Sequence, residues 1–114
     1  YGYFICIPYR SEIHHKYAFH FSSTIRSRTH KSGLDYSKIV IIEKSEYIDS
    51  TDAIIDKDEF NETMVNLGRI KKEALNFVED YIAHMKGEKP LHKKEFDRRY
   101  GFSPLKYFHK ELGI

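Results

Sequence analysis

Residues 56–87, DKDEFNETMVNLGRIKKEALNFVEDYIAHMKG, carry the pattern that decides the fold. Phe60, Met64, Leu67, Ile70, Ala74, Phe77, Tyr81 and Met85 recur at intervals of three and four, the spacing of one apolar helical face. The stripe runs for about seven turns and reads as core packing. Asp56 followed three residues later by Glu59 fits a capping box. Gly68 is the expected kink or dividing point, and Gly87 with Pro90 closes the helix.

On its N-terminal side the period changes. Tyr1–Ile7 is aromatic, β-branched and uncharged, the composition of a buried strand ended by Pro8. Tyr17–Phe21 alternates, with Tyr17, Phe19 and Phe21 on one face and Lys16, Ala18 and His20 on the other. Lys38–Glu43 holds the run Ile39-Val40-Ile41-Ile42, another buried strand, and Ser45–Asp49 is a candidate short one. Ser22–Ser37 is expected to be a long basic loop, of a length that is usually functional or disordered. Beyond the long helix, Leu91–Tyr100 reads as a short helix stopped by Gly101. Ser103 and Pro104 cap and open a last one, with Leu105, Phe108 and Leu112 on its inner face. Strands first and helices after them argue an α+β fold around an antiparallel sheet.

The chain has 114 residues, 40% apolar and 32% charged, with nine Tyr, eight Phe and no Trp. That composition suits one domain, residues 1–114, and excludes a disordered chain. No apolar run approaches the roughly 20 residues that span a bilayer. Cys6, the single cysteine, is expected as a buried thiol in a reducing compartment, with cytoplasm as the default. The chain opens directly on a strand without an initiator methionine, so residues upstream of Tyr1 are expected to be missing.

A net charge of +2 is too small to argue nucleic-acid binding, but its distribution is uneven. Residues 1–44 hold seven Lys and Arg against Glu12, Asp35 and Glu43, while residues 46–62 hold seven Asp and Glu against Lys57. One side of the protein should attract polyanions.

Pro8–Lys16 places a guanidinium, a hydroxyl, a carboxylate, two imidazoles and an ammonium beside a strand end. Arg10 and Ser11 form either an ordinary turn or a phosphate clamp, in which a planar fork and a hydroxyl meet nonbridging oxygens. Histidine as a residue type suits proton transfer near neutral pH, which makes His14 and His15 candidates, and Lys16 suits charge neutralisation on a phosphoryl group. A surface His-His-Lys with no chemical role is the simpler alternative. No metal site is expected, because the cysteine is misplaced and no carboxylate cluster joins the imidazoles. Arg26, Arg28, His30 and Lys31, with Lys38 at the loop's end and His20 on the Lys16 face, are candidate contacts to a phosphate backbone. Tyr9 and Tyr17 are candidates to stack unpaired bases, or else core residues.

Three segments in order carry a family resemblance: residues 7–19, IPYRSEIHHKYAF; residues 31–42, KSGLDYSKIVII; and residues 103–114, SPLKYFHKELGI. Together they resemble the toxins of type III toxin–antitoxin systems, in the CptN- and TenpN-like branch, with ToxN and AbiQ more distant. The resemblance implies a sequence-specific, metal-independent endoribonuclease without cofactors. It implies a strongly bent antiparallel sheet of the MazF- and CcdB-like toxin type, with helices packed around it. It implies a partner as well, a small repeat antitoxin RNA folded as pseudoknots that the toxin cuts and then holds in a closed assembly. Pro8, Tyr9, Arg10 and Ser11 match the family's strand-end active-site segment, and Lys16 or its neighbours His14 and His15 match its basic catalytic residue. Further active-site groups would lie upstream of Tyr1.

The expected reaction is attack of a ribose 2′-OH on the adjacent phosphorus, leaving 2′,3′-cyclic phosphate and 5′-OH ends. Cellular RNA is the expected substrate; DNA, lacking the 2′-OH, is not. Two alternatives stay open: a non-catalytic RNA-binding module with the same basic face, and a protein-interaction domain that uses the long helix.

Overall fold

The computed structural model describes residues 2–22, 31–46 and 56–114. These residues form an α+β fold with five short strands, in two small antiparallel sheets, and four helices. The strands are β1 (Tyr3–Cys6), β2 (Tyr9–Arg10), β3 (Ala18–His20), β4 (Gly33–Asp35) and β5 (Val40–Glu43). The helices are α1 (Lys57–Val65), α2 (Leu67–Met85), α3 (Lys93–Tyr100) and α4 (His109–Leu112). Among the described residues, β1 pairs only with β5, and β4 lies between β2 and β3.

The central strand β4 falls inside the expected basic loop, which is the largest departure from the sequence reading. Gly-Leu-Asp has little strand propensity of its own. Its place comes from tertiary packing: a Cβ on Gly33 would collide with the Phe19 carbonyl, so only glycine allows β3 to approach this closely. Asp35 then caps a 3-10 turn, Tyr36–Lys38, by accepting from Ser37 N at 2.9 Å. Residues 23–30 of that expected loop, including Arg26, Arg28 and His30, lie outside the described residues, as do most of Ser45–Asp49 and Tyr1.

Strand β1 corrects a second expectation. Tyr3, Phe4 and Ile5 are 40, 38 and 40% exposed, so the strand is not buried. A two-stranded ribbon has no layer on either face unless a helix covers it, and apolar composition alone cannot supply one. Cys6 is likewise only partly buried, although burial still raises its thiol pKa.

The expected long helix divides at Asn66 rather than at Gly68. Asn66 leaves the helical region at φ −103°, ψ 16°, and its side-chain amide donates to the Glu62 carbonyl at 2.9 Å. An asparagine that bonds its own backbone competes with helix continuation. Gly68 falls in the first turn of α2, where nothing crowds it. The apolar stripe splits with the helix. Ile70, Ala74, Phe77 and Tyr81 are buried from α2, joined by Val78, whereas Phe60, Met64 and Met85 are exposed. From α1 the buried residue is Glu59, whose carboxylate accepts from Ser32 Oγ at 2.5 Å and Tyr9 OH at 3.2 Å.

The core sits between α2 and the strands of both sheets, where Phe19, Phe21, Tyr36, Ile39 and Ile41 meet Phe77, Tyr81, Tyr100 and Leu105. Each large side chain buried there contributes about 1.5–3 kcal/mol. Hydroxyl tethers fix the helices: Tyr100 OH donates to the Phe77 carbonyl at 2.7 Å, Tyr36 OH to Glu73 at 2.8 Å and Tyr17 OH to Glu95 at 3.2 Å. At the C-terminus the expected single helix is a 3-10 turn (Pro104–Tyr107) followed by α4, whose His109 hydrogen-bonds Tyr81 OH. Ser103 caps the turn as its position suggests, accepting from Leu105 N at 3.2 Å. Among the described residues no helix is long and apolar enough to cross a membrane.

Candidate functional site

Strand register builds the site. Arg10 lies opposite Gly33 and His20 lies opposite Gly33 on its other side, while Asp35 faces Ala18. Residues two apart on a strand share a face, so Arg10, Ala18, His20 and Asp35 all project from the side opposite Phe19. Because Gly33 has no side chain, the Arg10 guanidinium can cross the diagonal to Asp35, and Nη1 lies 3.5 Å from Oδ2.

Asp35 is the centre of the cluster and is only 1% exposed. Its Oδ1 accepts from Ser37 Oγ at 2.5 Å and from Ser37 N at 2.9 Å, and His15 Nε2 stands 3.3 Å away. His15 is held from its other nitrogen: the Tyr17 N–H donates to Nδ1 at 3.1 Å. A ring nitrogen that accepts cannot carry the proton, so the proton of neutral His15 is on Nε2, facing Asp35 and Ser37.

This resolves an ambiguity that the residue types invite. Ser37, His15 and Asp35 are the ingredients of a nucleophilic triad, and Ser37 Oγ lies 3.2 Å from His15 Nε2. In a working triad the carboxylate holds Nδ1–H and Nε2 is left free to take the serine proton. Here both partners are on Nε2, which already carries a proton, and Ser37 gives its own proton to Asp35. Ser37 is a positioning residue for the carboxylate.

Arg10, His15, Asp35 and Ser37 open onto a cleft of ≈ 190 Å³ whose far wall is α3 and the turn after it. That wall supplies Arg98, Arg99 and Phe102, and Lys38 completes the rim. Arg99 is anchored, donating to Glu95 Oε1 at 2.9 Å and lying 3.6 Å from Asp80. The Arg99 hydrogen bond holds the Glu95 carboxyl below its ordinary value, helped by Tyr17 OH and by the charge of Lys16. Burial pushes the Tyr100 phenol behind this wall up to about 12. Arg98 is less constrained, 3.9 Å from Glu95 and largely exposed. Four cationic side chains therefore border a cleft whose own lining carboxylate is Asp35.

The remaining candidates divide. His14, Lys16, His20 and Lys31 border a separate open depression of ≈ 520 Å³ with Arg69, and His15 is the residue common to both. His14 Nε2 pairs with Glu12 at 3.2 Å, and His20 Nε2 donates to the His15 carbonyl at 2.8 Å. The Lys16 ammonium lies 5.5 Å from the Tyr17 ring centroid. Ser11 is exposed beside Arg10 and Glu12 in a third, shallow depression. Tyr9 donates to Glu59 and is 36% exposed beside Arg10, while Tyr17 packs between His15 and Phe77 and lines the cleft.

No protein-family model, curated protein or solved structure matches this chain at a significant level. The site must therefore be read from its own chemistry. Among the described residues, no group of three or more His, Cys, Asp or Glu side chains is arranged to hold a metal ion. Sequence reasoning overlooked Asp35, Ser37, Arg98 and Arg99. Asp35 and Ser37 had a signal, since Asp-x-Ser after a glycine favours a side-chain-capped turn. The paired arginines of α3 had none, because only tertiary packing sets them opposite Arg10.

Proposed function

We propose that this chain is a metal-independent endoribonuclease of the type III toxin class, acting on single-stranded RNA. The observation that carries the reading is the convergence of Arg10 and His15, from the crowded strand end, with Lys38, Arg98 and Arg99 around the buried Asp35 carboxylate. A cleft bordered by three guanidinium groups and an ammonium suits a phosphodiester, and guanidinium forks match its nonbridging oxygens.

In the proposed reaction the 2′ oxygen forms a bond to the adjacent phosphorus as the bond to the 5′ oxygen breaks. The 2′ proton passes to the His15–Asp35 pair and returns from it to the leaving 5′ oxygen. Arg10 exchanges its Asp35 contact for the phosphate and, with Lys38 and Arg98, offsets the charge of the phosphorane. The small repeat antitoxin RNA is the proposed inhibitory partner, lying across the cleft and the outer basic depression. A strongly bent, toxin-type sheet belongs to the same proposal.

One observation favours a second reading, a non-catalytic RNA-binding module: both ring nitrogens of His15 are engaged, so the ring has to hand its Nε2 proton to Asp35 before it takes one from RNA. Incubating the protein with single-stranded RNA in EDTA separates the two. Products with 2′,3′-cyclic phosphate and 5′-OH ends support the enzyme, while binding without products supports the module. Undiminished cleavage by an Arg10→Ala, His15→Ala double variant overturns the assignment of this cleft.

A further inference from the structure

Phe102 stands at the rim of the cationic cleft with 87% of its surface in water, the most exposed of the large apolar side chains described. Its backbone is nevertheless tightly held. Gly101 N donates to the Asp97 carbonyl at 2.9 Å, Ser103 N donates to the Tyr100 carbonyl at 3.0 Å, and Ser103 is buried. The Lys38 ammonium donates to the Phe102 carbonyl at 3.0 Å and lies 5.8 Å from the ring centroid. An aromatic ring on fixed backbone, beside cations and open to solvent, is the form a base-stacking platform takes in single-strand binding sites.

We infer that Phe102 is the platform on which an unpaired RNA base stacks when the adjoining phosphate occupies the cleft. The inference rests on the proposed RNA reading and adds a binding group to it. Lys38 links the two parts, because the same ammonium borders the phosphate cleft and touches the Phe102 carbonyl. Tyr9 and Tyr17 are each tied by their hydroxyls to a carboxylate, Glu59 and Glu95, and Phe102 is far more exposed than either. Every nucleobase has a π-face, so Phe102 strengthens binding with little choice of sequence.

The chain has no tryptophan, so Phe102→Trp introduces a single fluorescent reporter at the site. A short single-stranded RNA should quench that reporter, and the same RNA made abasic throughout should not. Phe102→Ala should weaken binding of the intact RNA by about tenfold, leave binding of the abasic strand within about twofold and leave the melting temperature unchanged. Phe102→Trp should retain wild-type affinity. Equal RNA affinity in wild type and Phe102→Ala, or quenching by the abasic strand equal to that by the intact one, overturns the inference. If the aromatic instead serves a protein contact, RNA affinity will not move and the inference fails. Cleavage is scored separately: base-dependent binding without products sinks the nuclease but keeps the platform, and products with no Phe102 dependence do the reverse.

Discussion

The cleft and the outer basic depression both draw residues from Pro8–Lys16, yet they are different kinds of surface. In the cleft, Arg10 and His15 are held by a buried carboxylate, a capped 3-10 turn and a backbone N–H. In the depression, His14, Lys16, His20 and Lys31 are exposed, and His14 meets an exposed carboxylate, Glu12. Fixed groups can supply oriented hydrogen bonds to a reacting centre, whereas mobile cations at the surface supply mainly a salt-sensitive attraction. His15 borders both surfaces, whereas His14 borders only the depression.

The sharpest way to break this contrast is catalytic. His15→Ala should lower RNA cleavage by about 10²–10⁴-fold, the usual range for lost acid–base help, and Arg10→Ala by a comparable factor. His14→Ala and Lys16→Ala should each cost less than about tenfold. Single-turnover rates of end-labelled RNA measure all four, and a larger loss at Lys16 than at His15 would reverse the assignment of the two surfaces.

Stability gives the next contrast. Asp35→Ala removes the acceptor of Arg10, His15 and Ser37 together with the cap of the 3-10 turn, and should cost about 3 kcal/mol in urea unfolding. That corresponds to a fall in melting temperature on the order of 10–20 °C. Ser11→Ala, at the exposed strand end, should stay within about 0.5 kcal/mol of wild type.

A smaller effect belongs to the depression. Lys16→Gln and Lys31→Gln should weaken RNA binding by similar factors across sequences, and each should reduce the salt dependence of the affinity by about one charge. Identical salt slopes in wild type and the double variant would remove this surface from the binding site.

The smallest effect lies behind the cleft wall. Glu95 has a folded-state pKa below its unfolded value, so its contribution is present above the unfolded value of 4.5 and is lost as pH falls through the lower folded one. Melting temperatures from pH 6 to pH 3 should therefore fall less steeply in Glu95→Gln than in wild type. Parallel curves would show that the Arg99–Glu95 pair does not brace the wall.

Legibility in the sequence followed how local each cause is. The alternation of Tyr17–Phe21 and the spacing from Ile70 to Tyr81 are one-dimensional records of burial, and the structure follows both. Ser103 before Pro104 announced its cap for the same reason. Strand β4 was illegible because Gly33 and Asp35 are poor strand formers, and their position depends on the backbones of β2 and β3 beside them. The break at Asn66 was assigned to Gly68 because glycine is the more familiar breaker, although the side-chain amide of Asn66 competes locally for the Glu62 carbonyl. Exposure of β1 was illegible because a strand's composition does not state whether anything covers it.

By itself the sequence determined the α+β order, the buried face of α2 and the crowding of ionisable side chains in Pro8–Lys16, since periodicity and composition are properties of neighbouring residues. Only the tertiary structure decided which of those groups meet. Arg10 meets Asp35 across the bare Gly33, and Arg98 and Arg99 arrive from a helix more than 80 residues away in the chain. Contacts of that kind follow from strand register and helix packing, and no local pattern of residues encodes them.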